Sequence, residues 1–163
     1  LLKDFADIKL RYIVSYTDNT KTAFTSLHGD QELHQDVREL CVAKYDPDKL
    51  WTFVEAINKD CTAQDADKCW TAVAEKIGLN TNQISQCQKD EGNSLLEKEY
   101  AADQQYNISG SPTLIINDDV TSNDRTPNGY KNSICSAFTE AKKPAVCAQT
   151  LAENSATASG SCN

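Results

Sequence analysis

The chain has 163 residues, of which 39% are hydrophobic and 25% charged, a composition typical of a globular domain. Its formal net charge of −8 argues against a nucleic-acid partner, because binding to phosphates needs clustered lysines and arginines. No apolar stretch approaches the length that spans a bilayer, so we expect no membrane span in this chain.

The first half of the chain predicts one strand and then a block of helices. Residues 8–16 are rich in β-branched and aromatic side chains and predict a strand, and residues 17–25 predict a polar loop. Asp30 is placed to cap a first helix, Pro47 to begin a second one and Gly78 to end a third.

Two more helices complete this block, a short one that opens at Asn80 or Thr81 and a last one that reaches Tyr106. Each helix carries apolar residues at the spacing that places them on one face. The predicted inward-facing residues are, in chain order, Leu33, Val37, Leu40, Cys41, Leu50, Val54, Ile57, Ala66, Cys69, Trp70, Val73, Ile77, Ile84, Cys87, Leu95, Leu96, Tyr100 and Tyr106.

The periodicity changes after the helical block. Residues 112–117 are a short apolar run and predict a buried strand, which is followed by a turn at residues 118–119 and a partner strand that begins at Val120. Pro127 begins a final helix. The predicted buried face of that helix consists of Tyr130, Ile134 and Phe138.

Seven cysteines are the strongest signal in the composition, and they favour an oxidising compartment. They are Cys41, Cys61, Cys69, Cys87, Cys135, Cys147 and Cys162. None of them lie three residues apart, so the chain has neither a C-x-x-C zinc knuckle nor a C-x-x-C redox pair. With only two histidines to add, we expect no metal site, and we expect no cofactor.

The segment over residues 109–117 resembles the cis-proline segment of thioredoxin-like oxidoreductases of the DsbA type. Its sequence is Ser-Gly-Ser-Pro-Thr-Leu-Ile-Ile-Asn. In that family the proline opens the strand that faces the redox cysteines. The resemblance therefore implies that Ser111, Pro112 and Thr113 shape a groove for a substrate or partner. The segment by itself is equally compatible with an ordinary trans proline.

Residues 26–41 resemble the signature C-Q-H-G-x-x-E-C-x-x-N-x-x-x-x-C of the interferon-inducible lysosomal thiol reductases. The matching positions are His28, Gly29, Glu32 and Cys41. Four positions differ, with Ser26 and Leu33 in place of two cysteines, Leu27 in place of glutamine and Asp36 in place of asparagine. A histidine before a glycine at the start of a helix is more often structural than catalytic, and we interpret His28 in that way.

The lumenal cysteine-rich domain of vacuolar sorting receptors is a second resemblance. It is carried by residues 38–42, Cys61, Cys69, residues 112–117 and residues 134–138. Those receptors bind cargo and are not enzymes. Archaeal DsbA-like proteins have similar segments, and together the resemblances cover roughly residues 1–147.

These resemblances imply an α/β fold, a thioredoxin-like sheet with a large disulfide-bonded helical insertion over residues 28–106. On such a fold the N-terminal strand and the redox helix would precede Leu1, and they are missing from this chain. The predicted domain covers residues 1–147, and residues 148–163, rich in Ala, Ser and Thr, predict a flexible tail or linker.

The cysteine spacing does not decide among the fifteen ways of pairing six cysteines. We favour Cys61–Cys69 and Cys135–Cys147, which close short loops at helix ends, and Cys41–Cys87, which ties the start of the helical block to its end. Cys162 remains, and we expect it to pair with a segment or chain outside this one, as an intermolecular disulfide.

Two functions follow from these observations. The first is a non-catalytic extracellular or lumenal module, derived from thiol-disulfide oxidoreductases, that binds a protein or supports an assembly. The alternative is the C-terminal major part of an active thiol-disulfide oxidoreductase whose C-x-x-C lies upstream of Leu1. Residues 107–109 fit an N-glycosylation acceptor at Asn107, which agrees with a secreted or lumenal location.

Overall fold

The computed structural model describes residues 1–108, 110–121 and 124–152. The chain forms two compact units. Residues 11–109 make the larger unit, which holds most of the helices. Residues 1–10, together with the chain from Gly110 onward, make the other unit.

The larger unit contains four helices, which we label α1 to α4. They are α1 over Asp30–Tyr45, α2 over Leu50–Asp60, α3 over Ala66–Lys76 and α4 over Thr81–Tyr106. The predicted helix start at Pro47 is confirmed, and Pro47 lies in a 3-10 turn that leads into α2. The predicted cap at Asp30 is wrong, because Gly29 is the N-cap and Asp30 is the first residue of α1. Gly78 follows α3 with a φ of +74°, a backbone conformation that favours glycine.

The two helices predicted between Asn80 and Tyr106 are one continuous helix of 26 residues, so the predicted break is wrong. The Asn80 side chain caps it by accepting a hydrogen bond from the Gln83 backbone N–H. Gly92 lies in the middle of α4, where a Cβ would come within 3.2 Å of a Val37 methyl group on α1. Gly92 therefore marks a close approach of two helices and not the end of one.

The core of the larger unit lies where these helices meet. Its most completely buried side chains are Phe53, Val42 and Cys41. Several residues predicted to face inward are only partly buried against this core, namely Leu33, Leu40, Val54, Ile77, Leu95 and Tyr100. Polar and charged side chains of α1 and α4 occupy buried positions, which is why the predicted apolar faces are only partly correct.

The strand predicted over residues 8–16 is much shorter in the structure. Only Ser15–Tyr16 forms a strand, β1, and it pairs antiparallel with β2 over Phe24–Thr25, inside the stretch predicted as a loop. The rings of Tyr16 and Phe24 stack with their centroids 4.4 Å apart. Cross-strand aromatic packing of this kind stabilises a short hairpin.

The smaller unit contains a second two-stranded sheet. Strand β3 covers Leu114–Ile116 and pairs antiparallel with β4 over Asp119–Thr121. The turn between them is formed by Asn117 and Asp118, with φ values of 49° and 69°, so the predicted turn at residues 118–119 is displaced by one residue. The described residues thus contain two separate two-stranded sheets where we predicted one thioredoxin-like sheet.

Helix α5 covers Pro127–Ser136 and begins at the predicted proline. Its buried residues are Gly129, Lys131 and Cys135, whereas the predicted face of Tyr130, Ile134 and Phe138 is only partly buried. Two short 3-10 turns follow, over Glu140–Lys142 and Ala145–Ala148. No helix in the described ranges has the length and apolar character needed to cross a bilayer.

The segment after Cys147 is hydrogen-bonded to α5. The Asn128 side chain donates to the Leu151 carbonyl at 2.8 Å and accepts from the Leu151 backbone N–H at 2.8 Å. The Lys131 ammonium donates to the Gln149 carbonyl. These bonds hold the first residues of the predicted tail, and residues 153–163 of that tail lie outside the described residues.

Gly129 lies in the first turn of α5, where a side chain has no room. A Cβ at this position would overlap the backbone oxygen and the side-chain carboxyl of Asp124. We therefore expect Gly129→Ala to lower the free energy of unfolding by about 1–3 kcal/mol, because the backbone around Asp124 must shift. Urea unfolding followed by circular dichroism measures this change. Gly110→Ala is the matched control, since no heavy atom lies within 4 Å of a Cβ there; equal losses in the two variants would contradict the prediction.

Candidate functional site

The described cysteines are all engaged in disulfide bonds. The bonds are Cys41–Cys87, Cys61–Cys69 and Cys135–Cys147, with Cα–Cα distances of 6.0, 6.0 and 5.8 Å. These are the three pairs that we favour from the sequence. Cys162 lies outside the described residues. Since thiol–disulfide exchange begins with a free thiolate, the described part of the chain offers no nucleophilic cysteine for it.

The disulfides differ in their place in the fold. Cys41 and Cys87 are 0% and 3% exposed and join α1 to α4 within the core. Cys61 and Cys69 are half-buried and join the end of α2 to α3. No group of three or more His, Cys, Asp or Glu side chains suited to a metal ion is present among the described residues.

The predicted partner groove lies just before β3. Ser111, Pro112 and Thr113 are exposed, and the Ser111–Pro112 peptide bond is cis. The Thr113 hydroxyl donates to the Gly110 carbonyl at 2.6 Å. Strand β3 pairs with β4 along one edge, and no other described strand pairs with its second edge. The segment therefore leads into a strand with one edge unpaired by any described strand.

Three of the matching signature residues, His28, Gly29 and Glu32, lie at the N-terminus of α1. The Glu32 carboxylate accepts from the Ser26 hydroxyl, from the His28 backbone N–H at 2.9 Å and from His28 Nδ1 at 2.7 Å. Burial raises the pKa of Glu32, but these hydrogen bonds outweigh it and hold the pKa below its ordinary value. Ser26 donates to Glu32 and not to His28, so this group is not arranged as a serine nucleophile with its base.

Four carboxyl groups are buried between α1 and α4, and we call them the buried acidic cluster. They are Asp36, Glu39, Glu99 and Asp103, which are 8%, 7%, 4% and 7% exposed. The sequence interpretation does not include this cluster. Its only signal is the spacing of the acids, three residues apart on α1 and four apart on α4, which places each pair on one face of its helix.

The cluster binds the extended segment that precedes β1. The backbone N–H of Tyr12 donates to Glu99 and that of Val14 donates to Asp103, both at 3.0 Å. Alternate residues of an extended chain present their N–H groups on the same side, and residues four apart on a helix are neighbours on its surface. The carboxylates of α4 thus accept the backbone hydrogen bonds that a neighbouring strand would accept from Tyr12 and Val14.

Two further hydrogen bonds complete the cluster. The Arg11 guanidinium donates to Glu99 at 2.8 Å, and the Tyr12 hydroxyl donates to Glu39 at 2.5 Å. Burial, and after it the negative charge of Glu39, raises the pKa of Tyr12 well above its ordinary value. Tyr12 therefore keeps its proton and remains a hydrogen-bond donor.

Burial raises the pKa of every carboxyl in the cluster. For Glu39, Glu99 and Asp103 the hydrogen bonds that they accept oppose this effect. Asp36 accepts none from the described residues, and burial together with the negative charges of Glu32 and Glu39 raises its pKa to about 8. At pH 7 the Asp36 carboxyl therefore favours its protonated form.

Asn107, the glycosylation candidate, is exposed and ends helix α4 with a φ of 51°. Its backbone N–H donates back to the carbonyl groups of Asp103 and Gln104. The side chain is consequently accessible at a helix end. Ser109, the third residue of the acceptor triplet, lies outside the described residues.

Comparison with known proteins gives one family and several relatives. The family model of the vacuolar sorting receptor thioredoxin-like domain matches residues 9–135. Vacuolar-sorting receptor 5 of Arabidopsis thaliana is 23% identical over 146 residues, which cover 79% of this chain and 24% of the receptor. Vacuolar-sorting receptor 1 of Pisum sativum is 27% identical over 139 residues, which cover 76% of this chain and 22% of the receptor.

The chain spans about a quarter or less of the length of these relatives. No solved structure matches it significantly. The family match covers most of the chain and includes the buried acidic cluster, the Ser111–Pro112 segment and five of the six bridged cysteines. The chain therefore belongs to the family of vacuolar sorting receptor thioredoxin-like domains.

Proposed function

We propose that this chain is a non-catalytic lumenal module that binds a polypeptide partner, and that it descends from thiol-disulfide oxidoreductases. The observation that carries the proposal is the use of the cysteines. All six described cysteines form disulfide bonds, and none of these bonds joins the cysteines of a C-x-x-C pair. A thioredoxin-like domain in this state keeps a scaffold for polypeptide binding without the chemistry of exchange.

The partner is proposed to bind along Ser111, Pro112 and Thr113. These residues are exposed and lead directly into β3. An extended polypeptide that joined the second edge of β3 would form main-chain hydrogen bonds, the mode of recognition known as β-augmentation. Side chains of the partner would then contact Pro112 and Thr113.

A lumenal location supports this function. The relatives are named as vacuolar-sorting receptors, and three disulfides are typical of proteins that fold in an oxidising compartment. We propose that Asn107 carries an N-linked glycan there, since it is exposed at the end of α4. We also propose that Cys162 forms a disulfide with a segment or chain outside this one.

Selection of peptides from a phage library of random dodecapeptides tests the binding surface. We expect the immobilised protein to enrich peptides whose affinity falls about tenfold or more in Ser111→Arg and Thr113→Arg, because a long charged side chain blocks the approach to β3. Asn93→Arg, at an exposed position of α4, is the control and should bind as the unmodified protein does.

Two results would overturn the proposal. The first is a library that yields no peptide, or only peptides that bind all of these variants equally. The second is turnover of insulin disulfides by the intact protein that alkylation abolishes, because it would favour the alternative of an active oxidoreductase with its redox pair elsewhere. Unfolding curves of the variants show whether any loss of binding comes from loss of folding.

A further inference from the structure

We propose that the buried acidic cluster is a proton-operated clamp on residues 11–14, in which Asp36 gains a proton as the clamp tightens and loses it as the clamp loosens. The proposal goes beyond partner binding, and it concerns the larger unit alone. It depends on the balance of charge in the cluster, on the hydrogen bonds of each carboxyl and on the backbone groups that the cluster holds.

The balance of charge is strongly negative. From residues 11–14 the cluster is faced by Arg11 and Tyr12, and from the loop before α1 by His28. The acids that face it are Glu32, Asp36 and Glu39 from α1, and Glu99 and Asp103 from α4.

Arg11 is half-exposed, and Arg38 of α1 is bound to Asp67 of α3. Four buried carboxylates beside one such guanidinium would repel one another, so at least one of them is held neutral.

The hydrogen bonds identify Asp36 as the neutral carboxyl. Glu39 accepts from Tyr12 and from the Gln35 amide at 3.0 Å. Glu99 and Asp103 accept from the backbone of residues 12 and 14. Asp36 is more than nine-tenths buried, and no described residue donates a hydrogen bond to it. A carboxylate with no donor and with the charges of Glu32, Glu39 and Glu99 around it is costlier than a protonated one, so the proton is held at Asp36.

When Asp36 loses its proton, the new charge affects the carboxylates that bind residues 11–14. A charge on Asp36 repels the charges on Glu39 and Glu99, which are the carboxylates bonded to Tyr12. Relief of the repulsion requires α1 and α4 to move apart or the carboxylates to turn toward solvent. Either movement breaks the bonds to Tyr12 and loosens the extended segment.

The sign of the effect follows from proton linkage. The folded pKa of Asp36 is about 8, above its ordinary value of 3.8, so the folded unit holds a proton that the unfolded chain has lost. The stability that this proton confers is complete below pH 4 and falls as the pH rises through 8. Between pH 6 and pH 9 the equilibrium constant for opening should rise about a hundredfold, with most of the rise below pH 8.

Hydrogen exchange and carboxyl NMR test the proposal on the full chain. We expect the protection factors of the Tyr12 and Val14 amides to fall about a hundredfold between pH 6 and pH 9. Asp36→Asn, which places a neutral amide at the same site, should remove this dependence. Asp48→Asn, at an exposed position, is the matched control and should keep it.

A ¹³C titration of the Asp36 carboxyl in the unmodified protein provides a second readout that does not depend on how Asp36→Asn folds. We expect a midpoint near pH 8. A midpoint at the ordinary aspartate value, or unchanged pH dependence of protection in Asp36→Asn, would overturn the clamp. Neither result bears on peptide binding at Ser111–Thr113, so the two proposals fail independently.

Discussion

Replacing Cys41 and Cys87 together by alanine should lower the free energy of unfolding by about 4 kcal/mol, a large share of the stability of an ordinary domain. The two cysteines are 46 residues apart, and their bond restricts a long loop in the unfolded chain. Both are also buried in the core, where they join α1 to α4. Urea unfolding under non-reducing conditions, followed by circular dichroism, measures the loss.

The double substitution of Cys61 and Cys69 by alanine is the matched control. These cysteines are 8 residues apart and half-buried, so the same reasoning gives a smaller loss of about 2.5 kcal/mol. The ranking of the two variants is the decisive result. If removal of Cys61–Cys69 cost as much as removal of Cys41–Cys87, loop length and burial would not explain how the disulfides stabilise the chain.

Phe53→Ala should destabilise the larger unit by about 3–5 kcal/mol. Phe53 is 0% exposed, and its ring lies in the core formed by α1, α2, α3 and α4. Removal of the ring forfeits the transfer free energy of the buried surface and leaves a cavity among rigid helices. The midpoint of urea unfolding should fall while its slope with urea concentration stays constant.

Phe5→Ala is the control for this prediction, because it removes the same ring from a residue that is 53% exposed. We expect that variant to unfold within about 0.5 kcal/mol of the unmodified protein. Two variants of equal stability would show that the core does not depend on the Phe53 ring.

The helices could be predicted because their signals are local. Pro47 has a backbone φ already suited to the first turn of a helix. Gly78 adopts the left-handed backbone conformation that follows the end of α3. The Asn80 side chain accepts a hydrogen bond from the backbone N–H of Gln83, three residues further along the chain. The break predicted between Asn80 and Tyr106 is wrong, and the role of Gly92 in that stretch is non-local. Glycine in a helix suggests a break, and only the position of Val37 on α1 shows that the space is needed for packing.

The strand over residues 8–16 could not be predicted correctly because its partners are distant in the sequence. The composition favours extended backbone, and residues 11–14 donate in alternation as a strand does. Their acceptors are nevertheless the side chains of Glu99 and Asp103 on a helix. No rule of strand composition distinguishes a neighbouring strand from a row of carboxylates.

The candidate sites also differ in whether their sequence signals are local. Ser111, Pro112 and Thr113 were recognisable from a contiguous segment, as were the Asn107 triplet and the cysteine spacing. The buried acidic cluster was not recognisable, because acids at helical spacing ordinarily belong to a solvated face. Their burial follows from the packing of α1 on α4 and from the donors on residues 11–14.

The hydrogen bonds between Asn128 and Leu151 fix where a fusion partner or affinity tag can be joined to this domain. A junction placed directly after Cys147 would remove both partners of the Asn128 amide and the acceptor of the Lys131 ammonium, which is 6% exposed. A buried ammonium without an acceptor is costly. Recombinant forms that retain Leu151 should therefore be more resistant to urea than forms that are joined directly after Cys147.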